Sequence, residues 1–212
     1  MTPLLALLDV DGTLFLTHDP LSSLALRETL AERYSIELPE DAVEHVDYAG
    51  QTSLRIARLV LLSAGVEEPD GLAEWCDRFA ARYVDLLQGS DTSDWRAAPG
   101  AEPALERLEI AGARLALLTG NPEPMARARM EKLGLARFFQ LGQGAFGCES
   151  ESRVELIELA RHRAGDWPAE QTVELGDTRR DEETARRAGI HAVHVEAGDL
   201  MAAVERLLTP SA

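Results

Sequence analysis

The sequence predicts an α/β fold: a Rossmann-like parallel sheet with helices on both faces, plus a small all-helical cap inserted after the first strand. A continuous apolar run, LLALL at residues 4–8, suits a strand buried on both faces. Three further short segments, 113–120, 171–177 and 189–195, read as strands and alternate with stretches of helical spacing, the pattern of a parallel sheet covered by helices. Between Thr17 and about Gln88 the strand pattern disappears and apolar residues recur at helical spacing.

Taken in order, the first strand leads into three helical segments, LSSLALRETLAERY, TSLRIARLVLLSAG and DGLAEWCDRFAARYVDLLQ. The stretch GSDTSDW, small and acidic, reads as a hinge back to the sheet. The core is therefore expected over residues 1–16 and 92–212, and the cap over 17–91. GAEPALERLEIAG precedes the second strand and PEPMARARMEKLGL follows it. SRVELIELARHRAG precedes the third and RRDEETARRAG the fourth, and several of these helices close on glycine. Right-handed crossovers then put every strand's carboxyl end on one edge, where open sheets of this kind bind ligands.

A chain of 212 residues accommodates one domain with a modest insertion. Its 45% apolar and 27% charged content is that of a soluble globular protein, and no apolar run is long enough for a membrane span. No basic region precedes the first apolar run, and Asp9 and Asp11 interrupt it, so a cytoplasmic location is expected. The net charge of −16 argues against nucleic acid or an anionic membrane as partner. Nothing in the sequence fixes an oligomeric state. An anionic small substrate would need local positive charge, which is almost wholly arginine, since Lys132 is the single lysine. Cys76 and Cys148, the only cysteines, are expected to be reduced structural thiols.

The chemistry concentrates at the strand ends. Residues two apart in a strand share a face, so Asp9 and Asp11 project together where the first strand stops. Two bare carboxylates there repel unless a cation or a shared proton relieves them, and magnesium suits such oxygen ligands. Asp11-Gly12 also reads as a simple turn. Thr119, Gly120 and Asn121 end the second strand just before Pro122 opens a helix, which is either a phosphate site or a loop and cap. Asp177 ends a third strand, with Asp181 four residues on at a helix start. Three strands thus end in acids or hydroxyls on one edge.

The order DVDGT (9–13), LLTGN (117–121), a basic residue near 153 and GDTRRD (176–181) resembles the haloacid dehalogenase-like (HAD) hydrolase superfamily, within it the phosphatases of the phosphoglycolate phosphatase type. The resemblance covers nearly the whole chain, including the helical insertion where such enzymes carry a cap. It implies a magnesium-dependent phosphatase acting on a small phosphorylated metabolite. Asp9 would be the nucleophile that forms an aspartyl phosphate, and Asp11 the general acid and base. Mg2+ would be held by Asp9, the backbone carbonyl of Asp11 and Asp177, with Asp181 supporting, while Thr119, Gly120 and Asn121 hold the phosphate. The family's usual lysine is replaced by Arg153, whose guanidinium can grip phosphate at two points. Asp11 disfavours dehalogenation, because a halide leaving group needs no proton. A sugar phosphomutase of the same superfamily, and a silent binding protein, are the alternative readings.

In the cap, Gly50, Gln51 and Thr52 are expected either to face the phosphate or simply to form a turn and helix cap, and Arg55 to add a positive contact. His18, His45, His162, His191 and His194 are read as structural or surface residues, Lys132 as solvent-facing, and Trp75, Trp95 and Trp167 as packing.

Overall fold

β1 (Leu4–Leu8) runs through the centre of a five-stranded, wholly parallel sheet in the computed structural model, which describes residues 4–209. The other strands are β2 (Ala113–Thr119), β3 (Ala145–Phe146), β4 (Thr172–Gly176) and β5 (His191–His194), in the spatial order β3-β2-β1-β4-β5. β1 pairs with β2 on one side and β4 on the other, with Leu8 level with Leu117 and with Leu175. That register brings Asp9, Thr119 and Asp177 to within one residue of a common height. The chain's direction across the sheet reverses at β1, and the crevice beyond such a switch point is where these sheets bind ligands.

Alternate leucines of β1 serve opposite faces, as the period of two requires. Leu5 and Leu7 pack with Ala116 and Leu118 against α6 (Arg153–Arg163) and α7 (Arg179–Arg187). Ala6 and Leu8, with Leu115, Leu117, Val173 and Leu175, belong to the larger core under α4 (Ala101–Ile110), α5 (Glu123–Lys132) and α8 (Leu200–Leu208). Removing one such fully buried leucine side chain typically costs about 2–5 kcal/mol. The same core continues into the insertion, whose helices are α1 (Pro20–Tyr34), α2 (Ser53–Ser63) and α3 (Leu72–Gln88). Trp75 is buried there, its indole N–H donating to Thr29 Oγ1 at 2.9 Å, and Trp95, beyond the insertion, is buried in the same core.

The α/β sheet and its helices agree with the sequence expectation. The structure adds the two-residue β3, too short to carry any periodicity, and the carboxyl-terminal α8, which follows the last strand. β5, at an edge, keeps exposed His191 and His194. No helix among the described residues is long and apolar enough to cross a membrane.

The two cysteines correct the sequence reading. Cys76 on α3 and Cys148, just after β3, form a disulfide across 72 residues of sequence, with Cα atoms 5.8 Å apart. No local spacing announces it, because the fold alone brings the insertion against that loop. Disulfides persist in oxidising settings, so a reducing cytosol would hold the pair as thiols.

Closing a loop of this length restricts the unfolded chain by about 4 kcal/mol. Cys148→Ser and added reductant should each lower the unfolding free energy by roughly that amount, and their effects should not add. Thiol titration of the protein unfolded without reductant should find no free thiol, and two reactive thiols would contradict the pairing.

Candidate active site

Beyond Leu8 the chain does not turn back as a hairpin. Val10 C=O accepts the N–H of Leu14 at 2.9 Å and of Phe15 at 2.8 Å, and Gly12 N–H donates to Phe15 C=O at 2.9 Å, so residues 10–15 coil over the strand end. Gly12 sits at φ +80°, and a Cβ there would lie 2.1 Å from Asp177 Oδ2. Glycine is therefore required on both counts, and its bare backbone lets the Asp177 carboxylate reach the loop carrying Asp9 and Asp11.

Asp9 is 6% exposed, and its N–H donates to Leu175 C=O at 3.0 Å, which extends the β1–β4 ladder. One carboxylate oxygen each from Asp9, Asp177 and Asp181 lies within 4.8 Å of the others. At an effective dielectric of about 20, each ionised pair at that distance costs about 3 kcal/mol. The compensating cation is Arg153, at the start of α6. Its Nη2 lies 2.7 Å from Asp181 Oδ1, 2.9 Å from Glu174 Oε1 and 3.8 Å from Asp9 Oδ1. One guanidinium thus faces three acids, while Asp177 adds a further negative charge to the cluster.

Local structure explains why Asp181 is held. Thr178 caps α7, and Asp181 Oδ2 accepts the N–H of Thr178 at 2.9 Å and its hydroxyl, closing a capping box. Asp177 Oδ1 is buried with no hydrogen-bond partner among the described residues and, unlike Asp181 Oδ1, has no guanidinium beside it. An unsatisfied buried carboxylate oxygen, an all-oxygen donor set and excess negative charge fit a hard divalent cation. Asp9, Asp177 and Asp181 could supply side-chain oxygens to it, and the Asp11 backbone lies beside Asp177 through Gly12.

The electrostatics point the same way. Burial pushes Asp9 well above the carboxylate range against the pull of Arg153, with Asp181, Asp11 and Asp177 raising it further. Burial, then Asp181, raises Asp177. Burial pushes Glu174 up to about 7, although Arg153 opposes it.

Thr119, 1% exposed, accepts from the backbone N–H of Asn121 at 3.2 Å and from its Nδ2 at 3.1 Å, which leaves the Thr119 hydroxyl hydrogen to donate. The Asn121 amide also donates to Asp11 Oδ2. Gly120 is a close-approach position, where a Cβ would lie 2.0 Å from the Gln51 carbonyl oxygen. Its own C=O accepts the N–H and hydroxyl of Ser53, at 2.8 and 2.9 Å, and Leu54 N–H donates to Gly147 C=O at 3.1 Å. The start of α2 is thereby seated on two core loops, beside the paired Arg58 and Glu151.

Asp9, Asp11, Thr119, Gly120, Asn121, Arg153 and Asp177 line one cavity of about 550 Å³, whereas Asp181 and Glu174 lie behind it, and Ser22, Ser23, Tyr48, Gln51 and Phe79 from the insertion form its roof. Of the two readings the sequence left open, Gly50 and Gln51 take the first and line the cavity, whereas Thr52 takes the second, being fully buried and capping α2 through Arg55 N–H at 3.2 Å. Arg55 is not among the lining residues and lies 3.8 Å from Glu151 instead. His18, read as structural or surface, is exposed on the cavity wall, and Lys132 faces solvent.

Sequence reasoning missed Arg129, Asp19, Tyr83 and Glu174. Arg129 Nη1 lies 2.8 Å from Asp11 Oδ1, and its Nη2 lies 2.7 Å from Asp19 Oδ2. A signal existed: Arg129 falls on the buried stripe of α5 with Met125, Ala126 and Met130, where solvated basic residues do not belong. Glu174 likewise interrupts a fully buried strand.

Comparison with known proteins follows the same line. A family model for haloacid dehalogenase-like hydrolases matches residues 4–189. A phosphoglycolate phosphatase of Mesorhizobium japonicum is 32% identical over 194 residues, covering 90% of this chain and 81% of that protein. A phosphoglycolate phosphatase of Rhodobacter capsulatus is 29% identical over 192 residues, covering 90% and 82%. Among solved structures, CbbY from Rhodobacter sphaeroides in complex with phosphate has a TM-score of 0.65 at 22% identity, covering 90% of this chain and 85% of that one. A β-phosphoglucomutase from Clostridium difficile reaches 0.69 at 13% identity, covering 96% and 98%. At these identities the structural likeness speaks for the fold.

Because burial raises Asp9, Asp177 and Glu174, the folded chain keeps protons that the unfolded chain has released. For Glu174 that contribution is complete below its ordinary 4.5 and is lost as pH rises to about 7. The melting temperature in metal-free buffer should fall across this window, Glu174→Gln should flatten the fall, and magnesium should raise it more near neutrality than in acid. A melting temperature rising with pH through the same window would contradict the burial of these acids.

Proposed function

The chain belongs to the haloacid dehalogenase-like hydrolases, and we propose that it is a phosphatase that cleaves a small phosphorylated metabolite through an aspartyl phosphate on Asp9. The observation that carries this reading is the convergence of Asp9, Asp11, Thr119 and Asp177 on one roofed cavity. Its phosphatase character is supported by the phosphoglycolate phosphatases that the chain resembles over most of its length.

In this reading an Asp9 oxygen attacks phosphorus in line with the ester oxygen. The bond from phosphorus to the ester oxygen breaks as the new bond forms, and Asp11 gives its proton to the departing alkoxide. Asp11, now a carboxylate, takes a proton from the water that attacks the phosphoryl group. Inorganic phosphate leaves and Asp9 is regenerated. Thr119 donates its hydroxyl hydrogen to a phosphoryl oxygen, and Arg153 sits close enough to Asp9 to share the phosphate's charge. Magnesium, held by Asp9, Asp177 and the Asp11 carbonyl with Asp181 in support, would neutralise the charge that develops on the phosphoryl oxygens. The α2 seat on Gly120 and Gly147 holds the insertion over the strand ends, which would limit the access of bulk water.

Release of inorganic phosphate from p-nitrophenyl phosphate tests the proposal. Activity should require magnesium, vanish with a chelator, and fall by at least about 10³-fold in Asp9→Asn while the melting transition survives. Turnover unaffected by either change would reject the mechanism. Arg153→Ala should weaken competitive inhibition by inorganic phosphate about ten-fold or more, as expected for a lost charged hydrogen bond. An unchanged inhibition constant would remove Arg153 from the phosphate site.

A further inference from the structure

Arg129 belongs to none of the roles above, yet it is 2% exposed and touches Asp11 directly. We propose that Arg129 is a positioning residue, which fixes the aim of the Asp11 carboxylate and ties that aim to the seating of the helical insertion. This rests on the phosphatase reading, in which Asp11 protonates the leaving group.

Asp11 cannot hold its own orientation. Its side chain is 55% exposed, and Gly12 follows it at φ +80°. A carboxylate in such a place samples several rotamers. Arg129 Nη1 meets both of its oxygens, at 2.8 and 3.1 Å, a charged contact that holds the carboxylate turned toward the guanidinium.

The guanidinium is itself anchored on its other edges. Nη2 donates to Asp19 Oδ2 at 2.7 Å, and Nε donates to the Tyr83 hydroxyl at 3.2 Å. The Tyr83 hydroxyl in turn donates to Asp19 Oδ2 at 2.7 Å, and Asp19 Oδ1 caps α1 through Leu21 N–H. The Phe15 and Tyr83 rings lie 5.0 and 5.5 Å from the guanidinium carbon. Asp19 caps the first helix of the insertion and Tyr83 stands on its third, while Arg129 stands on α5 beside the sheet. A displacement of the insertion would therefore remove the anchors that hold Arg129, and leave the Asp11 carboxylate held by the Asn121 amide alone. Lysine would keep the charge but lose the fork.

The test uses two substrates of similar shape. The nitrophenolate leaving group of p-nitrophenyl phosphate departs without much help from an acid, whereas that of phenyl phosphate needs a proton more. kcat/KM reports only the steps through departure of the leaving group. Arg129→Met should lower kcat/KM about ten-fold more for phenyl phosphate than for p-nitrophenyl phosphate, with Arg129→Lys in between. Asp11→Asn should show the same selectivity, and adding Arg129→Met to it should change kcat/KM by less than about two-fold. Equal losses on both substrates, or effects that multiply in the double variant, would overturn the proposal and leave Arg129 a packing residue. If Arg129→Met fails to melt cooperatively, the ratio measured for Arg129→Lys decides the matter. A wild-type protein inert toward p-nitrophenyl phosphate with magnesium would instead defeat the phosphatase reading itself.

Discussion

The arrangement depends on a shortage of positive charge at the carboxyl ends of β1 and β4. Asp9, Glu174 and Asp181 all face the same buried guanidinium, that of Arg153, and Asp177 keeps a buried oxygen with no hydrogen-bond partner among the described residues. Such a cluster is stable only if protons or a cation relieve it. The protein has arranged its backbone to hold the acids together regardless: Gly12 yields space to Asp177, and the capping box of α7 fixes Asp181. Local geometry that opposes the electrostatics so consistently is the mark of a functional site rather than of a stabilising one.

The second cation, Arg129, is used differently. Burial disfavours its charge, and Asp11, Tyr83 and Asp19 more than offset that, so it stays a guanidinium inside the fold. The two arginines divide the acids between them, Arg153 beneath the nucleophile's side of the cavity and Arg129 beside Asp11. The insertion reaches the cavity through this network, through the bonds from Ser53 and Leu54 to core carbonyls, and through the Cys76–Cys148 bond. Roof and floor are thus connected at several independent points, which suits a site that must be shut while charge moves.

Much of this was legible in the sequence because it follows from short periods and strand ends. The LLALL run, the alternation of strand and helix, and the acids after β1 and β4 all sit within a few residues of the element that positions them. Arg153 was found from motif order alone, and the structure brings it to 3.8 Å from Asp9. What stayed hidden was long-range. Asp11 and Arg129 are 118 residues apart, Asp19 and Tyr83 are 64 apart, and the two cysteines are 72 apart, so only the packing of the insertion on the sheet joins them. Arg129 and Glu174 were visible as charges in apolar positions, but their partners were not.

Calorimetric titration of magnesium into the metal-free protein at neutral pH tests most directly whether these acids share a cation. One ion per chain should bind to the wild type, and Asp177→Asn should abolish or greatly weaken that binding while the protein stays folded. Binding of equal strength in the variant, or none in the wild type, would contradict a shared coordination sphere at the ends of β1 and β4.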